Sequence, residues 1–511
     1  MTVDRLVRGH WLITGAGDDD SSLGDAAVVV SGQRIQEVGE WETLRQRYPD
    51  AEVIGSERTA VLPGLTNAHH HASGVTNFQH GFPDMLLEPW ILSLAAMRDS
   101  DRTLETLLSA ANLLRSGVTS VLEVARGEGT AERFEAKTRQ RLSAYETAGI
   151  RAVYAPGRVD HGHLAHGVDG DRDFIAGLPD ALKPVAQSLL PSESRFDTED
   201  YFAILETLCR DFAAHPTVSL GFGPAGPVWV TDDNWQRIAE AAERLDVVIQ
   251  THVTESLYEK LQGPRDYGRS TVAHLHGLGV LSPRFSMAHG VWLSEADIAL
   301  LAETGAAVSH NPSSNLRLRA GIAPLNALRA AGVTVGLGMD TTTLGDDEDM
   351  FAEIRLAMRL HRTPYLEGPA PSPADIFALA TSGGARLLCR EGELGRIAPG
   401  YLADLVLLDL ERITWPWVAP EADPRDLLLN RAQARDVTTV LVGGEVVVRD
   451  GLPTKFDLME VGKELADRLN AESIPADLAT QVEHLLPHLE AYYRGWAVPE
   501  PLPYTAYNSR T

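Results

Sequence analysis

Histidines cluster in the stretch LPGLTNAHHHASG, residues 62–74, where an apolar run ends at His69, His70 and His71. Side chains at positions i and i+2 of a β-strand point to the same side, so His69 and His71 share one side and His70 faces the other. Two imidazoles on one side of a strand end can bind a divalent metal. The stretch therefore predicts half of a metal site, and His70 is expected to pack on the opposite side of the strand.

Further apolar runs end in polar side chains that bind metals or move protons. One His at a strand end is usually structural, but several polar groups at corresponding strand ends indicate one shared site. The residues concerned lie in THVTES, MAHG, SHNP and GLGMD and are His252, Glu255, His289, His310, Asn311 and Asp340.

Eight short apolar runs alternate with segments of helical spacing between residues 61 and 390. Strands that alternate with helices favour parallel βαβ units, and eight of them predict a closed (β/α)8 TIM barrel of the α/β class. Barrel enzymes keep their chemistry at the carboxyl ends of the strands, where these polar residues fall. The runs are TAVLPGLTNA, TSVLEVA, IRAVYAPG, VSLGFGPAG, VVIQTHVTE, FSMAHGVWL, AAVSHNP and VTVGLGMD.

Short β-like runs stand at both ends of this predicted barrel. Residues 1–60 contain HWLITG and DAAVVVSGQRIQEVG, and residues 391–452 contain VTTVLVGGEVVVRDG. We predict that the two segments assemble one small β-sandwich beside the barrel of residues 61–390. Residues 453–511 have helical apolar spacing and are predicted to form a helical extension, which could cover a neighbouring subunit or its own barrel.

The composition favours a soluble protein, and we expect a cytoplasmic homo-oligomer that acts on a small molecule. The 511 residues include 45 Lys and Arg against 71 Asp and Glu, a net charge of −26, which opposes binding to nucleic acid or to an anionic membrane. The N-terminus lacks a signal-peptide pattern, and no window has the roughly 18 apolar residues of a membrane span. Two cysteines, Cys209 and Cys389, cannot form a disulfide framework and fit a reducing compartment.

These motifs resemble those of the amidohydrolase superfamily. LPGLTNAHHH is similar to its opening PGLVNAHTH, and THVTE matches the HxxE of its fifth strand. The run from SMAHGVWL to GIAPL follows its sixth and seventh strands, GLGMDTTTLGDDEDMFAEIRLA its eighth, and LGRIAPGYLADLVLLDL its C-terminal sandwich. The resemblance extends to about residue 452. Within the superfamily the chain looks like the branch of cytosine, guanine and adenosine-derivative deaminases and triazine hydrolases.

The resemblance implies a role for each residue of the site. His69, His71, His252 and Asp340 would bind one divalent metal, and three imidazoles with one carboxylate suit Zn or Fe. His289 would contact the substrate or the metal-bound water. Asp340 would accept the proton of that water. Glu255, three residues beyond a ligand, would shuttle protons.

Two alternative metal sites are disfavoured by missing residues. Two-metal members of the superfamily have a bridging lysine at the fourth strand, and VSLGFGPAGPVWV contains none, so we expect a single metal. The other zinc deaminase class needs an HxE motif with a PCxxC pair, and the chain has no such cysteine pair.

Three positions that face the substrate in relatives differ in this chain. Ala225 stands in PAGP where many relatives have a histidine, and Leu344 and Gly345 replace a Ser-Asn pair. Gln79 and His80 fall near the usual arginine of the first loop. We therefore expect a substrate other than that of the best-known deaminases. The predicted substrate contacts are Gln79, His80, His289 and Asn311.

The long segment of residues 157–193 could form a lid over the site. Its His161, His163 and His166 could hold a second metal, although a solvated loop is the commoner role of such a segment. Trp229 and Trp292 follow the fourth and sixth strands and could wall an aromatic pocket or pack in the core.

The predicted function is hydrolytic deamination of a nitrogen heterocycle by a mononuclear metal-dependent amidohydrolase. The metal would supply hydroxide near neutral pH, Glu255 would move protons, and His289 and Asp340 would hold the tetrahedral intermediate. One alternative is hydrolysis of a C–N or C–Cl bond in a substituted urea, amide, carbamate or triazine. The alternative of another class, a non-catalytic assembly protein, is disfavoured by the complete ligand set.

Overall fold

The computed structural model describes residues 3–17, 22–125, 127, 129–191, 196–341, 343–474, 476–500 and 502–505. Its β-strands are β1 (Arg5–Ile13), β2 (Ser22–Ser31), β3 (Arg34–Glu40), β4 (Glu52–Pro63), β5 (Leu65–His70), β6 (Val118–Ala125), β7 (Arg151–Pro156), β8 (Val218–Leu220), β9 (Ile249–Val253), β10 (Phe285–His289), β11 (Ala307–His310), β12 (Val335–Leu337), β13 (Leu405–Asp409), β14 (Val437–Val442), β15 (Glu445–Arg449) and β16 (Leu452–Pro453).

The α-helices are α1 (Trp41–Arg47), α2 (Leu87–Ser93), α3 (Arg102–Arg115), α4 (Ala131–Ala148), α5 (Gly170–Gly177), α6 (Lys183–Ser188), α7 (Thr198–Asp211), α8 (Asp232–Leu245), α9 (Leu257–Tyr267), α10 (Thr271–Gly277), α11 (Glu295–Thr304), α12 (Pro312–Arg317), α13 (Leu325–Ala330), α14 (Met350–Leu360), α15 (Pro373–Ala378), α16 (Gly384–Leu387), α17 (Leu410–Thr414), α18 (Pro424–Arg431), α19 (Leu458–Ala471) and α20 (Ala476–Arg494). None of the helices in the described part of the chain is long and apolar enough to cross a bilayer.

Strands β5 to β12 close into a parallel barrel, as the eight apolar runs predict. They form two four-stranded ladders, β5-β6-β7-β8 and β9-β10-β11-β12. Single bridges join the ladders at both seams, from Phe222 to Ile249 and from His70 to Asp340. The predicted (β/α)8 fold is confirmed, and its carboxyl-terminal rim carries the polar residues of the candidate site.

Helix α3 shows how the sequence sets the outer ring of the barrel. The Asp101 carboxylate caps the helix by accepting hydrogen bonds from the backbone amides of Thr103 and Leu104. Apolar residues at helical spacing give α3 one buried side, which packs on the barrel. Gly117, with φ of +83°, then turns the chain into β6.

The predicted sandwich is confirmed, and it joins the two ends of the chain in one sheet. The strand order is β16-β15-β14-β13-β4-β1-β2-β3. Strand β4 connects the two halves, since Val61 lies opposite Leu12 of β1 on one side and Leu407 of β13 on the other. Strand β4 runs to Pro63, slightly beyond the boundary predicted at residue 60.

The C-terminal extension covers its own barrel. Helix α19 contacts α3, and α20 contacts α2. Helix α20 also shares a small apolar core with the described part of the long segment 157–193, which folds into α5 and α6. Residues 192 and 193 of that segment lie outside the described residues. This small core includes Leu92, Leu164, Phe174, Leu485, Leu489, Tyr493 and Trp496.

Candidate active site

Five of the predicted residues meet at the carboxyl-terminal rim of the barrel. The Nε2 atoms of His71 and His252 lie 3.3 Å apart, and His71 Nε2 lies 3.1 Å from Asp340 Oδ1. The ligand atoms of His69, His71 and His252 all lie within 4.8 Å of one another, as do those of His69, His289 and Asp340. In the described part of the chain, these are the two groups of His, Cys, Asp and Glu with the geometry to hold a metal ion.

The imidazoles of His71 and His252 are oriented by backbone carbonyls. His71 Nδ1 lies 2.6 Å from the Val124 carbonyl oxygen, and His252 Nδ1 lies 2.8 Å from that of Ala225. A carbonyl oxygen can only accept a hydrogen bond, so the proton of each ring is on Nδ1. Each Nε2 lone pair therefore faces the centre of the site.

Amide side chains orient the other two imidazoles. His69 Nδ1 lies 2.8 Å from Gln250 Oε1, and the Nε2 amide of Gln250 donates to the Ala68 carbonyl, which fixes which end faces His69. His289 Nδ1 lies 2.8 Å from Asn315 Oδ1. Partners of this kind hold metal-binding histidines in one tautomer.

Two buried nitrogen atoms at the centre have no hydrogen-bond partner. They are Nε2 of His69 and Nε2 of His289. His69 Nε2 is 3.6 Å from Asp340 Oδ1, too far for a hydrogen bond. Burial lowers the pKa of His69, and lowers that of His289 to about 4, so both rings are neutral at pH 7. Unpartnered neutral imidazoles beside a carboxylate fit a divalent metal such as Zn or Fe.

Asp340 is fixed from several sides in its ionised form. Burial alone would raise its pKa, but the adjacent imidazoles of His69, His71 and His289 hold that pKa well below its usual value. Ser314 Oγ donates to Asp340 Oδ2 over 2.5 Å. The backbone φ of Asp340 is +55°, the kind of strained conformation that clusters at functional sites.

His70 is buried behind this carboxylate and supports it. Its Nδ1 lies 2.7 Å from the Asp340 carbonyl oxygen, and its Nε2 lies 2.7 Å from Ser109 Oγ. His70 lies on the side of the strand that the sequence predicts, because its ring faces away from the other imidazoles. The sequence did not indicate its hydrogen bond to the backbone of Asp340.

Glu255 is buried beside His289. Its Oε2 is 3.4 Å from His289 Nε2, and its Oε1 is buried without a partner. Burial raises the pKa of Glu255 well above its usual value, and the nearby carboxylates of Asp340, Glu259 and Glu88 add to the effect. A carboxyl group of this kind can hold a proton near neutral pH and release it to a bound molecule.

The residues predicted to contact substrate lie in different surroundings. Gln79 is exposed and forms a local turn, since its Oε1 accepts from the Thr76 amide. His80 has Arg98 and Glu105 as charged neighbours. Asn311 is buried, and its Nδ2 lies 3.4 Å from His289 Nδ1. A substrate role for these residues stays a prediction.

His310 and the histidines of the long segment lie outside the group of facing ligand atoms. His310 Nε2 is 2.8 Å from Nε2 of His361, and both rings are buried. No three-ligand group in the described part of the chain includes His161, His163 or His166. The described residues therefore give no support to a second metal in that segment.

The tryptophans after the fourth and sixth strands are both partly buried. Trp229 contacts the His166 ring edge to face, with centroids 5.2 Å apart. Trp292 Nε1 donates to the Ala320 carbonyl oxygen over 2.8 Å. Both rings therefore have specific structural partners.

Sequence reasoning missed Gln250, Ser314 and Asn315, which orient the site. A signal for Gln250 was present, because it stands two residues before His252 in the same strand and so points to the same side. Ser314 and Asn315 lie in helix α12, directly after the SHNP motif, and nothing in their spacing distinguishes them from ordinary helix residues.

Replacing Gln250 by leucine will weaken zinc binding about 10- to 100-fold, the usual effect of removing a partner that orients a metal-binding histidine. Zinc affinity is measured by competition with a fluorescent chelator. Ser286→Ala is the matched control, because Ser286 Oγ bonds to the same Gln250 side chain but not to His69. Equal zinc affinity in Gln250→Leu and the wild type would show that this contact does not support the metal site.

The sequence matches known proteins over most of its length. Residues 60–447 match the profile of the Amidohydrolase family, and residues 26–51 match that of a bacterial imidazolonepropionase-like composite domain. A 5-methylthioadenosine/S-adenosylhomocysteine deaminase from Nitratidesulfovibrio vulgaris (strain DP4) is 29% identical over 470 residues, 91% of this chain and 96% of that protein. A 5'-deoxyadenosine deaminase from Methanothermobacter thermautotrophicus is 32% identical over 461 residues, 88% of this chain and 96% of that protein.

Solved structures resemble this fold over nearly their whole length. An adenosine deaminase from Xanthomonas campestris with bound Zn superposes with a TM-score of 0.77 at 27% identity, covering 92% of this chain and 99% of that one. A triazine hydrolase from Arthobacter aurescens has a TM-score of 0.76 at 23% identity, covering 91% and 99%. At that identity the second likeness concerns the fold alone.

Proposed function

The chain belongs to the amidohydrolase family and is a hydrolase of carbon–nitrogen bonds, and from that premise we propose that it binds one divalent metal, Zn or Fe. The proposed ligands are His69, His71, His252 and Asp340. Support comes from the Nε2 atoms, which point at one another and at the Asp340 carboxylate while Nδ1 of each ring bonds to an oxygen. The zinc bound in the Xanthomonas campestris adenosine deaminase fits this proposal.

The proposed reaction is hydrolytic deamination of a nitrogen heterocycle. A metal bound at this site would lower the pKa of a water molecule toward 7 and so supply hydroxide at neutral pH. Asp340, ionised and held by Ser314, is placed to accept a proton from that water. Glu255 would then place its proton on a ring nitrogen of the substrate. It would next take the proton of the newly added hydroxyl group and deliver it to the departing amine, and the proton on Asp340 would return Glu255 to its protonated form.

His289 completes the proposed machinery from the opposite side of the site. Its ring is neutral and is held by Asn315 at Nδ1, which leaves Nε2 directed at Glu255 and Asp340. With the ring proton on Nδ1, Nε2 can accept a hydrogen bond from the O–H of the tetrahedral adduct that forms when water adds to the ring. Asn311 lies behind His289 and would help to orient it.

One observation carries the deaminase proposal. Glu255 is 3% exposed, has an unpartnered Oε1 and has a raised pKa, so it can carry a proton at a place next to the metal site. Removing ammonia from a ring requires such a group, because the amine is a poor leaving group until it is protonated. The names of relatives that act on adenosine derivatives support a 6-aminopurine nucleoside as the substrate class.

A substrate screen tests this proposal. The purified protein, loaded with zinc or iron, is incubated with 5′-deoxyadenosine, 5′-methylthioadenosine, S-adenosylhomocysteine, free amino-heterocycles, substituted ureas and a chlorotriazine. Ammonia and ring absorbance are read together, so that deamination and other hydrolyses give different signals. We expect ammonia release from an amino-heterocycle. Hydrolysis confined to ureas or to the chlorotriazine would favour the rival function.

Other features of the protein are part of the same proposal. We propose a cytoplasmic homo-oligomer that takes a small-molecule substrate, with a sandwich of residues 1–60 and 391–452, a barrel of residues 61–390 and an extension of residues 453–511. Trp415 and Trp417 support oligomerisation, since about three-quarters of each residue is exposed and contiguous exposed apolar surface can mark a site of protein–protein contact.

A further inference from the structure

A second buried polar cluster contacts the backbone of Glu255 and includes none of the proposed metal ligands. Four segments contribute to it: helix α2, the segment after β7, the start of helix α9 and the C-terminal helix α20. Each of its side chains is more than nine-tenths buried. We define this brace cluster as Glu88, His166, Ser256, Glu259 and Tyr493.

The contacts of the brace cluster lead from the C-terminal helix to Glu255. The backbone amide of His166 donates to Tyr493 Oη over 2.9 Å. The His166 ring lies with Nε2 3.2 Å from Glu88 Oε1, and Ser256 Oγ donates to the same oxygen. Ser256 is the neighbour of Glu255 in the chain, so the Glu88 carboxylate holds the backbone beside Glu255.

A second carboxylate fixes the backbone of Glu255 itself. Its amide donates to Glu259 Oε2 over 2.7 Å, and the Glu259 amide donates to Ser256 Oγ over 3.0 Å. Thr254, on the other side, has φ of +49°, a conformation that β-branched residues rarely adopt. Such a conformation persists only when the surrounding contacts impose it.

His166 stabilises the buried carboxylate of Glu88 by donating a hydrogen bond to it. Glu88 Oε2 and Glu259 Oε1 have no hydrogen-bond partner. The Glu88 carboxylate therefore depends on the hydrogen bonds that Ser256 and His166 make to its Oε1. When one partner of a buried hydrogen bond is removed, the remaining polar group stays buried without a partner, which costs free energy. Without His166, Glu88 is therefore expected to shift and release the backbone at Ser256.

Apolar packing of α20 places Tyr493 over His166. Tyr493 and Trp496 pack against Tyr258 of α9, tilted and edge to face, with ring centroids 4.8 Å and 5.9 Å away. The Arg265 guanidinium lies 4.2 Å from the centroid of Trp496. The extension is thus anchored to the same helix, α9, that begins directly after Glu255 and Ser256.

We propose that His166 and Tyr493 are positioning residues that hold Glu255 in place through Glu88 and Ser256, and that the C-terminal extension is therefore required for full turnover. This inference rests on the proposed function, in which Glu255 transfers protons. A displacement of about 1 Å at a reacting group can cost on the order of 10² in rate, so the positioning role has a measurable consequence.

Four variants of the full-length, metal-loaded protein test the proposal. His166→Phe removes the donor and keeps a ring, and His166→Gln restores an N–H near the place of Nε2. Tyr493→Phe removes the acceptor of the His166 amide, and Tyr492→Phe is the matched control from the same apolar core. With 5′-deoxyadenosine as the probe, we expect kcat to fall about 10- to 100-fold in His166→Phe and Tyr493→Phe, with KM within about threefold and zinc content unchanged. His166→Gln should recover most of the loss, and Tyr492→Phe should match the wild type.

Hydrogen exchange gives a readout that needs no substrate. Peptides covering residues 253–258 should exchange at least about tenfold faster in His166→Phe and Tyr493→Phe than in Tyr492→Phe, because local opening becomes easier. Unchanged exchange in both variants would overturn the proposal, whatever the activity.

A double-mutant cycle separates positioning from general destabilisation. If His166 acts through Glu255, adding His166→Phe to Glu255→Gln should change the residual rate less than about twofold. If the rate losses of the two single substitutions multiply in the double variant, the positioning role is overturned and the proposed function stays intact. Wild-type turnover in Glu255→Gln alone would overturn both, so the two failures are distinguishable.

Discussion

Replacing Glu255 by glutamine will lower kcat by about 10²–10⁴, the usual contribution of positioned acid–base catalysis, while the metal stays bound. Glutamine keeps the size and hydrogen-bonding capacity of the side chain but cannot carry the proton that the raised pKa of Glu255 allows it to hold. KM should change little, because the substitution leaves the metal ligands and the shape of the site intact. Steady-state kinetics and metal analysis of the same preparation check both parts.

The control for this variant is Glu243→Gln, which makes the same chemical change at an exposed position of helix α8. It should behave as the wild type. The rival function, hydrolysis of a C–Cl bond or of a urea, amide or carbamate, has less need of a group that protonates the leaving group. Near-wild-type turnover in Glu255→Gln would therefore contradict the deaminase mechanism and promote that rival.

Replacing His69 and His71 together by alanine will empty the metal site and lower turnover by at least about 10⁴, because water without a metal supplies almost no hydroxide at neutral pH. The protein should still fold, since the packing inside and around the barrel is made by apolar side chains. Elemental analysis measures the metal, and thermal unfolding followed by circular dichroism measures the fold.

His161→Ala with His163→Ala is the matched double control. These two histidines belong to the long segment after β7 and not to the group of facing ligand atoms. This control should keep one metal per chain. Full occupancy in the His69 and His71 variant, or two tightly bound metals per wild-type chain, would contradict the mononuclear site.

The barrel and the place of its site follow from the sequence for a simple physical reason. Parallel strands are buried on both sides, so they appear as continuous apolar runs, and residues after each run must meet at one rim. His252 and Asp340 are far apart in the chain but follow corresponding runs, and the structure places both at the same rim. The side chosen for His70 follows equally from the alternation within a strand.

The supporting contacts are harder to read from the sequence because they depend on loops and on distant segments. Tyr493 meets His166 across 327 positions of the chain, and no periodicity relates the two. Gln79 sits in a turn closed by Thr76, although its place in the resemblance suggested a substrate contact. Alternation along a strand determines the side on which a side chain lies, whereas its hydrogen-bond partner depends on tertiary packing.

Metal-dependent release of ammonia distinguishes a deaminase from a hydrolase of ureas or chlorotriazines. The protein is stripped with a chelator, titrated with zinc or iron, and assayed for ammonia and for the converted heterocycle with the amino-heterocycle panel. We expect one ammonia for each heterocycle converted, with activity rising to a plateau at about one metal per chain. A protein that carries its full metal, releases no ammonia from any amino-heterocycle and yet hydrolyses a chlorotriazine or a urea would contradict the proposed deamination.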